Sequence, residues 1–213
     1  SILTIYMVSY LGLREKDAEA TFHLFVFAVY VTPLAGAWLA DRFLGRYRVI
    51  LWLSLGYVLG HAAIASLESD SGLAIGLALI AAGAGGIKPC AAAFVGDQFG
   101  PSESRLLQRV YDLYYWMINL GAFLAPLVVS VLKGFSWQYV FVASAAYTGL
   151  MLLPTLFAFR DPPRPESTKS LKAVLLGAAE VLGDARFMLM IFIYSGFWIL
   201  YFQSFGSILW LLR

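Results

Sequence analysis

The feature that most constrains this chain is a succession of apolar runs, each near twenty residues long and separated by short polar breaks. They cover about 18–39, 49–67, 73–95, 106–132, 137–159 and 187–212, with a shorter run over 1–11. Crossing a hydrocarbon core of about 30 Å takes about 20 helical residues, so each long run is a membrane-spanning helix. With 61% of residues hydrophobic and 13% charged, too little polar surface exists to wrap such a core in water. Barrel strands would be near ten residues long with alternating polarity, and no run reads that way. The sequence predicts an all-α integral membrane protein with several passes.

The breaks organise the chain. Gly12 and the charged loop Arg14-Glu15-Lys16-Asp17 close the first run, and Glu68-Ser69-Asp70-Ser71-Gly72 closes the third. Pro101 and Ser102 suit a helix start before the fifth. Asp161-Pro162-Pro163-Arg164-Pro165-Glu166-Ser167 is the one proline-rich polar linker, and the amphipathic stretch 171–182 after it is expected at the membrane surface. The expected organisation is a six-helix bundle over 1–160 whose first helix is incomplete, a linker over 161–185, and the first helix of a second bundle over 186–213. Because Ser1-Ile2-Leu3-Thr4 lacks an initiator methionine and a basic leader, the chain reads as a fragment that begins inside a helix.

Basic residues set the expected orientation. Arg42, Arg46 and Arg48 lie between spans two and three, Arg105 and Arg109 between four and five, and Arg160, Arg164, Lys169, Lys172 and Arg186 between six and seven. The opposite side carries only Arg14, Lys16 and Lys133. By the positive-inside rule the first set of loops is cytoplasmic.

Several chemistries are excluded. One cysteine, Cys90, forms no internal disulfide, and His23 and His61 lie too far apart in sequence to suggest a metal site or a nucleophile–histidine–carboxylate set. Neither an enzyme nor a cofactor protein is indicated. A net charge of +2, dispersed over loops, does not make a nucleic-acid surface.

One polar feature interrupts the fourth span. Ala81-Ala82-Gly83-Ala84-Gly85-Gly86-Ile87-Lys88-Pro89-Cys90 places a single cation in an otherwise uncharged segment. A lysine near mid-membrane costs about 2.5–3.5 kcal/mol on insertion scales, so it calls for a partner, a watery cavity, or both. The run superficially suits a phosphate loop, but Pro89 stands where that loop needs Ser or Thr, and small residues for helix packing explain it better. Pro89 removes a backbone donor and is expected to kink the helix.

Gly36-Ala37-Trp38-Leu39-Ala40-Asp41-Arg42-Phe43-Leu44-Gly45-Arg46 joins spans two and three. Its glycine permits close helix approach and Asp41 can cap or pair at a junction that opens and closes; an ordinary charged turn is the other reading. The stretch resembles the loop between the second and third helices of the major facilitator superfamily. With Tyr111-Asp112-Leu113-Tyr114-Tyr115-Trp116-Met117-Ile118-Asn119-Leu120-Gly121, Gly85-Gly86-Ile87-Lys88-Pro89 and Gly96-Asp97-Gln98-Phe99, the chain resembles the proton-dependent oligopeptide transporter family.

That resemblance implies a major facilitator type helical bundle, here running from a partial helix 1 to helix 7, with a missing C-terminal bundle of the same protein as its partner. It implies a symporter of small peptides and protons in the lipid bilayer, in a bacterial inner membrane or a eukaryotic plasma or organelle membrane. Lys88 matches the family lysine, whose acidic partner stands in a Glu-x-x-Glu-Arg motif expected just before Ser1. Tyr30 and Asn119 match substrate-pocket residues, although a lone asparagine also serves as glue between helices. Gly36, Asp41, Arg42, Gly45 and Arg46 match the conformational switch. His23, seven residues before Tyr30 and on its helix face, resembles a histidine used in proton coupling; an ordinary hydrogen-bonded histidine is the alternative. Phe202 stands where Phe197-Trp198-Ile199-Leu200-Tyr201-Phe202-Gln203 would carry the family's acid, which keeps open a non-peptide solute or a non-transporting receptor or assembly role.

Overall fold

The structure, a computed structural model, describes the backbone of residues 2–159 and 171–211 and the side chains of 2–159 and 176–200. The proline-rich linker with Arg160, Arg164 and Lys169, and the side chains of Lys172 and Phe202, lie outside the described residues. Two compact units are present, Ser1–Pro165 and Glu166–Arg213. The first contains α1 (Ile2–Ser9), α2 (Glu15–Leu39), α3 (Arg46–Ser66), α4 (Asp70–Gly96), α5 (Ser104–Phe135) and α6 (Trp137–Phe157). The second contains α7 (Leu171–Gly183) and α8 (Ala185–Leu211). All regular structure among the described residues is helical, and five helices, α2 to α6, are long and apolar enough to cross a membrane. The chain is a multi-pass integral membrane protein of all-α class.

Helix starts fall a few residues outside the apolar runs, because charged and hydroxyl side chains satisfy free backbone donors at a helix N-terminus. Glu15 and Asp17 belong to the first turn of α2 rather than to a loop, and Asp17 pairs with Arg14 at 2.7 Å. Ser69 caps α4 by accepting from the Gly72 amide at 3.1 Å, with Asp70 in the first turn. Ser136 caps α6 in the same way, accepting from the Gln138 amide at 3.1 Å. Asp184 opens α8, its Oδ1 accepting from the amides of Arg186 and Phe187 at 2.9 and 3.2 Å. At its other end α2 passes into a π-helical turn, Ala40–Leu44, closed by Gly45 donating to the Ala40 carbonyl at 2.9 Å. Gly45 adopts φ 80°, a left-handed value that suits glycine.

Within the first unit, α4 packs between α2 and α3, and α3 also packs on α6. Tyr6, Met7, Ala18, Ile64, Leu73, Leu77, Ile80, Trp137 and Val140 form one buried cluster, which ties α1 to the outer ends of α3, α4 and α6. Tyr6 meets Trp137 and Phe141 edge-on, with ring centroids 5.3 and 4.8 Å away. Ala40, Val49, Ile50, Cys90 and Phe94 form a second cluster toward the α2–α3 junction. Between them the backbones approach through glycines. A Cβ on Gly60 would stand 2.7 Å from the Gly76 carbonyl oxygen, and one on Gly76 the same distance from that of Gly60. No bulkier residue would allow α3 and α4 to lie this close. α4 continues as one helix through Pro89.

Candidate functional site

The small-residue run of α4 is buried from Gly83 to Gly86, which brings the backbone of α2 onto it. Thr32 Oγ1 donates to the Ala81 carbonyl at 2.8 Å. One turn further along, Pro89 has no N–H to return to the Gly85 carbonyl, and that oxygen faces Gly36, the nearest heavy atom to the place where a Cβ on Gly36 would stand. A freed carbonyl inside a membrane is costly unless something meets it. The bare Cα of Gly36 can offer it a weak C–H donor, as happens where helices touch closely. Another two turns along, Tyr111 of α5 donates its hydroxyl to the Ala92 carbonyl at 2.9 Å.

Positions 81, 85, 88 and 92 recur every three to four residues and share one face of α4. Lys88 therefore leaves from the middle of a stripe whose flanking carbonyls are met by α2 and α5. Its side chain is exposed, and Nζ lies 5.2 Å from the centre of the Tyr30 ring on α2. Among the described residues Lys88 has no acidic partner. The ring face of a tyrosine attracts a cation by about 0.5–1 kcal/mol when exposed and about 2 kcal/mol or more when dry. Tyr30 is itself 66% exposed, so both groups stay accessible to a ligand.

The other residues singled out in the sequence are distributed rather than gathered. Asn119 lies exposed on α5, and its Nδ2 donates to the Tyr115 carbonyl of its own helix at 2.8 Å. His23 is exposed near the outer half of α2, edge-on to Phe22 at 5.8 Å, and makes no hydrogen bond or ion pair among the described residues. His61 turns into the bundle, its Nδ1 3.0 Å from the Tyr57 carbonyl. The structure thus joins Lys88 to Tyr30, and records no contact from either to Asn119 or His23.

At the cytoplasmic end, as the basic residues orient the chain, Asp41 and Arg42 sit in the π-helical turn and Arg46 begins α3. Arg46 Nη1 holds both oxygens of Asp97 at 2.7 Å, binding the start of α3 to the residue that ends α4. The sequence offers Asp97 only inside Gly96-Asp97-Gln98-Phe99; the signal it carried was an acid at the end of span four, on the side where Arg42, Arg46 and Arg48 cluster. Thr32, next to Pro33 in an apolar run, gave no sign of its cross-helix bond.

Comparison with known proteins agrees with this geometry. The family PTR2, described as the POT family, matches residues 47–159. Peptide transporter family 1 of Drosophila melanogaster is 40% identical over 141 residues, covering 62% of this chain and 19% of that protein. Solute carrier family 15 member 2 of Rattus norvegicus is 33% identical over 182 residues, covering 76% of this chain and 25% of that protein. The chain thus spans about a fifth to a quarter of the length of these curated relatives. The crystal structure of the POT family transporter PepTSo superposes with a TM-score of 0.71 at 32% identity, over 85% of this chain and 42% of that one. A second crystal structure of a proton dependent oligopeptide family transporter is 38% identical with a TM-score of 0.64, over 85% of this chain and 41% of its own. The matched segment covers more than half of the sequence and contains the glycine crossing of α4, Lys88, Asp97 and Asn119, and on that ground the chain belongs to the POT family, with the helical bundle fold of its major facilitator type transporters.

Proposed function

We propose that this chain supplies the N-terminal helices of a proton-coupled symporter for di- and tripeptides that works by alternating access. The observation that carries the reading is Lys88, an exposed cation in the middle of a membrane helix, resting on the Tyr30 ring and without an acidic partner among the described residues. Such a group is expensive in lipid and useful only where water or an anionic ligand reaches it. A peptide carboxylate satisfies it, and membership in a family whose named relatives include peptide transporters supports that ligand.

In this reading Lys88 and Tyr30 receive the carboxylate end of the substrate, and Asn119 offers an amide from the middle of α5. His23, exposed on α2 and able to exchange a proton at either ring nitrogen, takes the proton. Gly36, Asp41, Arg42, Gly45 and Arg46, joined by Asp97, form the cytoplasmic switch. Residues 1–160 form the N-terminal bundle, 161–185 the linker and 186–213 the first helix of the second bundle.

The test is uptake of a dipeptide into liposomes by the full-length protein under an imposed inward proton gradient. Accumulation should follow the gradient and vanish in Lys88→Ala. Uptake of peptides indifferent to pH would refute symport, uptake of other solutes but not peptides would refute the substrate, and unchanged transport in Lys88→Ala would remove Lys88 from the mechanism.

A further inference from the structure

The transport reading leaves a carboxylate inside α5 unused. Asp112 is the only carboxylate between Ser104 and Phe159, and it stands nine residues into α5, a helix of 32 residues. Seven positions separate it from Asn119, so the two share a face, about 10.5 Å apart along the axis. Asn119 lies at the midpoint of α5, which puts Asp112 within the half-thickness of a hydrocarbon core of about 30 Å, on the cytoplasmic side as the basic residues orient the chain.

The face is not arbitrary. Gln108, Asp112, Tyr115, Asn119, Pro126 and Ser130 recur at three- to four-residue intervals, broken only by Ala122, and make one polar or small stripe along the helix. The contacts of α5 lie along one edge of this stripe and beyond it: Tyr111 bonds α4, and Val129 and Leu132 pack on the Tyr6–Trp137 cluster. The stripe is exposed, and among the described residues Asp112 makes no hydrogen bond or ion pair. A stripe holding a free carboxylate does not face lipid; it borders water and whatever solute that water admits.

Gln108, Tyr115, Asn119 and Ser130 can each donate and accept, one N–H of Asn119 being spent on the Tyr115 carbonyl, whereas an ionised Asp112 accepts only and is the one carboxylate of the stripe. Lys88 supplies a cation from α4. We infer that Asp112 is a specificity-determining residue that binds the ammonium group of the substrate, on the cytoplasmic side of Asn119. This rests on the peptide-transport reading above.

The test compares Asp112→Asn with the unmodified full-length protein in liposomes, using trialanine as substrate and N-acetyl-trialanine as competitor. A charge-assisted bond is worth enough that KM for trialanine should rise about tenfold or more, with maximal rate little changed. The inhibition constant of the acetylated peptide should stay put, and Asp112→Glu should recover most of the affinity. Because Asp112 makes no hydrogen bond or ion pair among the described residues, both variants should elute and melt as the unmodified protein does. An unchanged KM, an equal loss for free and acetylated peptide, or a loss confined to the proton-gradient response each overturns the assignment. Peptide uptake absent from the unmodified protein overturns the transport reading and this assignment with it; uptake present with Asp112→Asn indifferent overturns this assignment alone.

Discussion

Gly36→Ala is the sharpest perturbation the packing offers, because every atom a new Cβ would meet is backbone. The methyl would stand 2.7 Å from the Gly85 carbonyl carbon and 2.8 Å from Gly86 Cα, with the Gly85 oxygen closer still, whereas ordinary contact begins at 3.4 Å. Reaching 3.4 Å from 2.7 Å requires α2 to retreat by about 0.7 Å or more, and no flexible side chain is there to yield. Overfilling a packed contact costs about 1–3 kcal/mol. The same retreat stretches the 2.8 Å bond from Thr32 Oγ1 to the Ala81 carbonyl toward the limit of hydrogen bonding, which removes about 0.5–1.5 kcal/mol more. The sum, about 1.5–4.5 kcal/mol, corresponds to at least about 3 °C of Tm for a cooperative unit of this size. The assay is thermal unfolding of the detergent-solubilised full-length protein. Gly121→Ala and Gly149→Ala supply the internal control: nothing lies within 4 Å of either new methyl, and both positions are helical, so neither should lower Tm. Equal destabilisation by all three substitutions, or none by Gly36→Ala, would show that the α2–α4 crossing is not as tight as described.

Two further perturbations follow from the site. Tyr30→Phe keeps the ring face under Lys88 and should transport nearly as the unmodified protein does, whereas Tyr30→Leu should weaken peptide affinity by a factor of about 2–30, the range that a cation–ring contact of about 0.5–2 kcal/mol implies; uptake kinetics decide, and equal behaviour of the two variants removes the ring from the account. Asp97→Arg leaves Arg46 facing a like charge and should raise the labelling rate of a cysteine placed at the cytoplasmic end of α4, while the exchange Arg46→Asp with Asp97→Arg restores it; being partly exposed, the pair should contribute about 1 kcal/mol or less, and failure of the double exchange to restore labelling argues against a pairwise contact.

The spans were legible because a membrane demands long apolar runs and little else resembles them. Their ends were legible only to within a few residues. Glu15, Asp70 and Arg46 look like loop residues by hydropathy, yet the acids favour helix N-termini and all three sit in first turns. The meaning of Gly83-Ala84-Gly85-Gly86 as a packing surface was also legible; that Gly36 and Thr32 would be what packs there was not. Spacing along one helix carries no information about which other helix lies against it. The Arg46–Asp97 pair, 51 residues apart in the chain, was hidden for the same reason.

Lys88 shows the limit most clearly. A cation in a membrane span asks for compensation, and the sequence suggests a carboxylate because opposite charge is the familiar answer. Among the described residues Lys88 meets the Tyr30 ring, a partner that carries no formal charge, while the acid expected before Ser1 belongs to chain outside this sequence.

The same helix that supplies this ring also supplies the junction with α3. Tyr30, Gly36 and Asp41 follow one another along α2 and its π-helical turn, with Gly36 about 9 Å from the level of Tyr30 and about 7.5 Å from that of Asp41 along a helical rise. The tightest contact of α2 with α4 lies between them, at Gly36 and Gly85. Pro33 interrupts the helix between Tyr30 and that contact, and the π-helical turn interrupts it beyond, so the α2 backbone is irregular on both sides of the crossing. At the crossing Gly36 meets the backbone of Gly85 and Gly86 while the Thr32 side chain lies against Gly85 and bonds the Ala81 carbonyl, so glycine at both positions is what this closeness of approach requires.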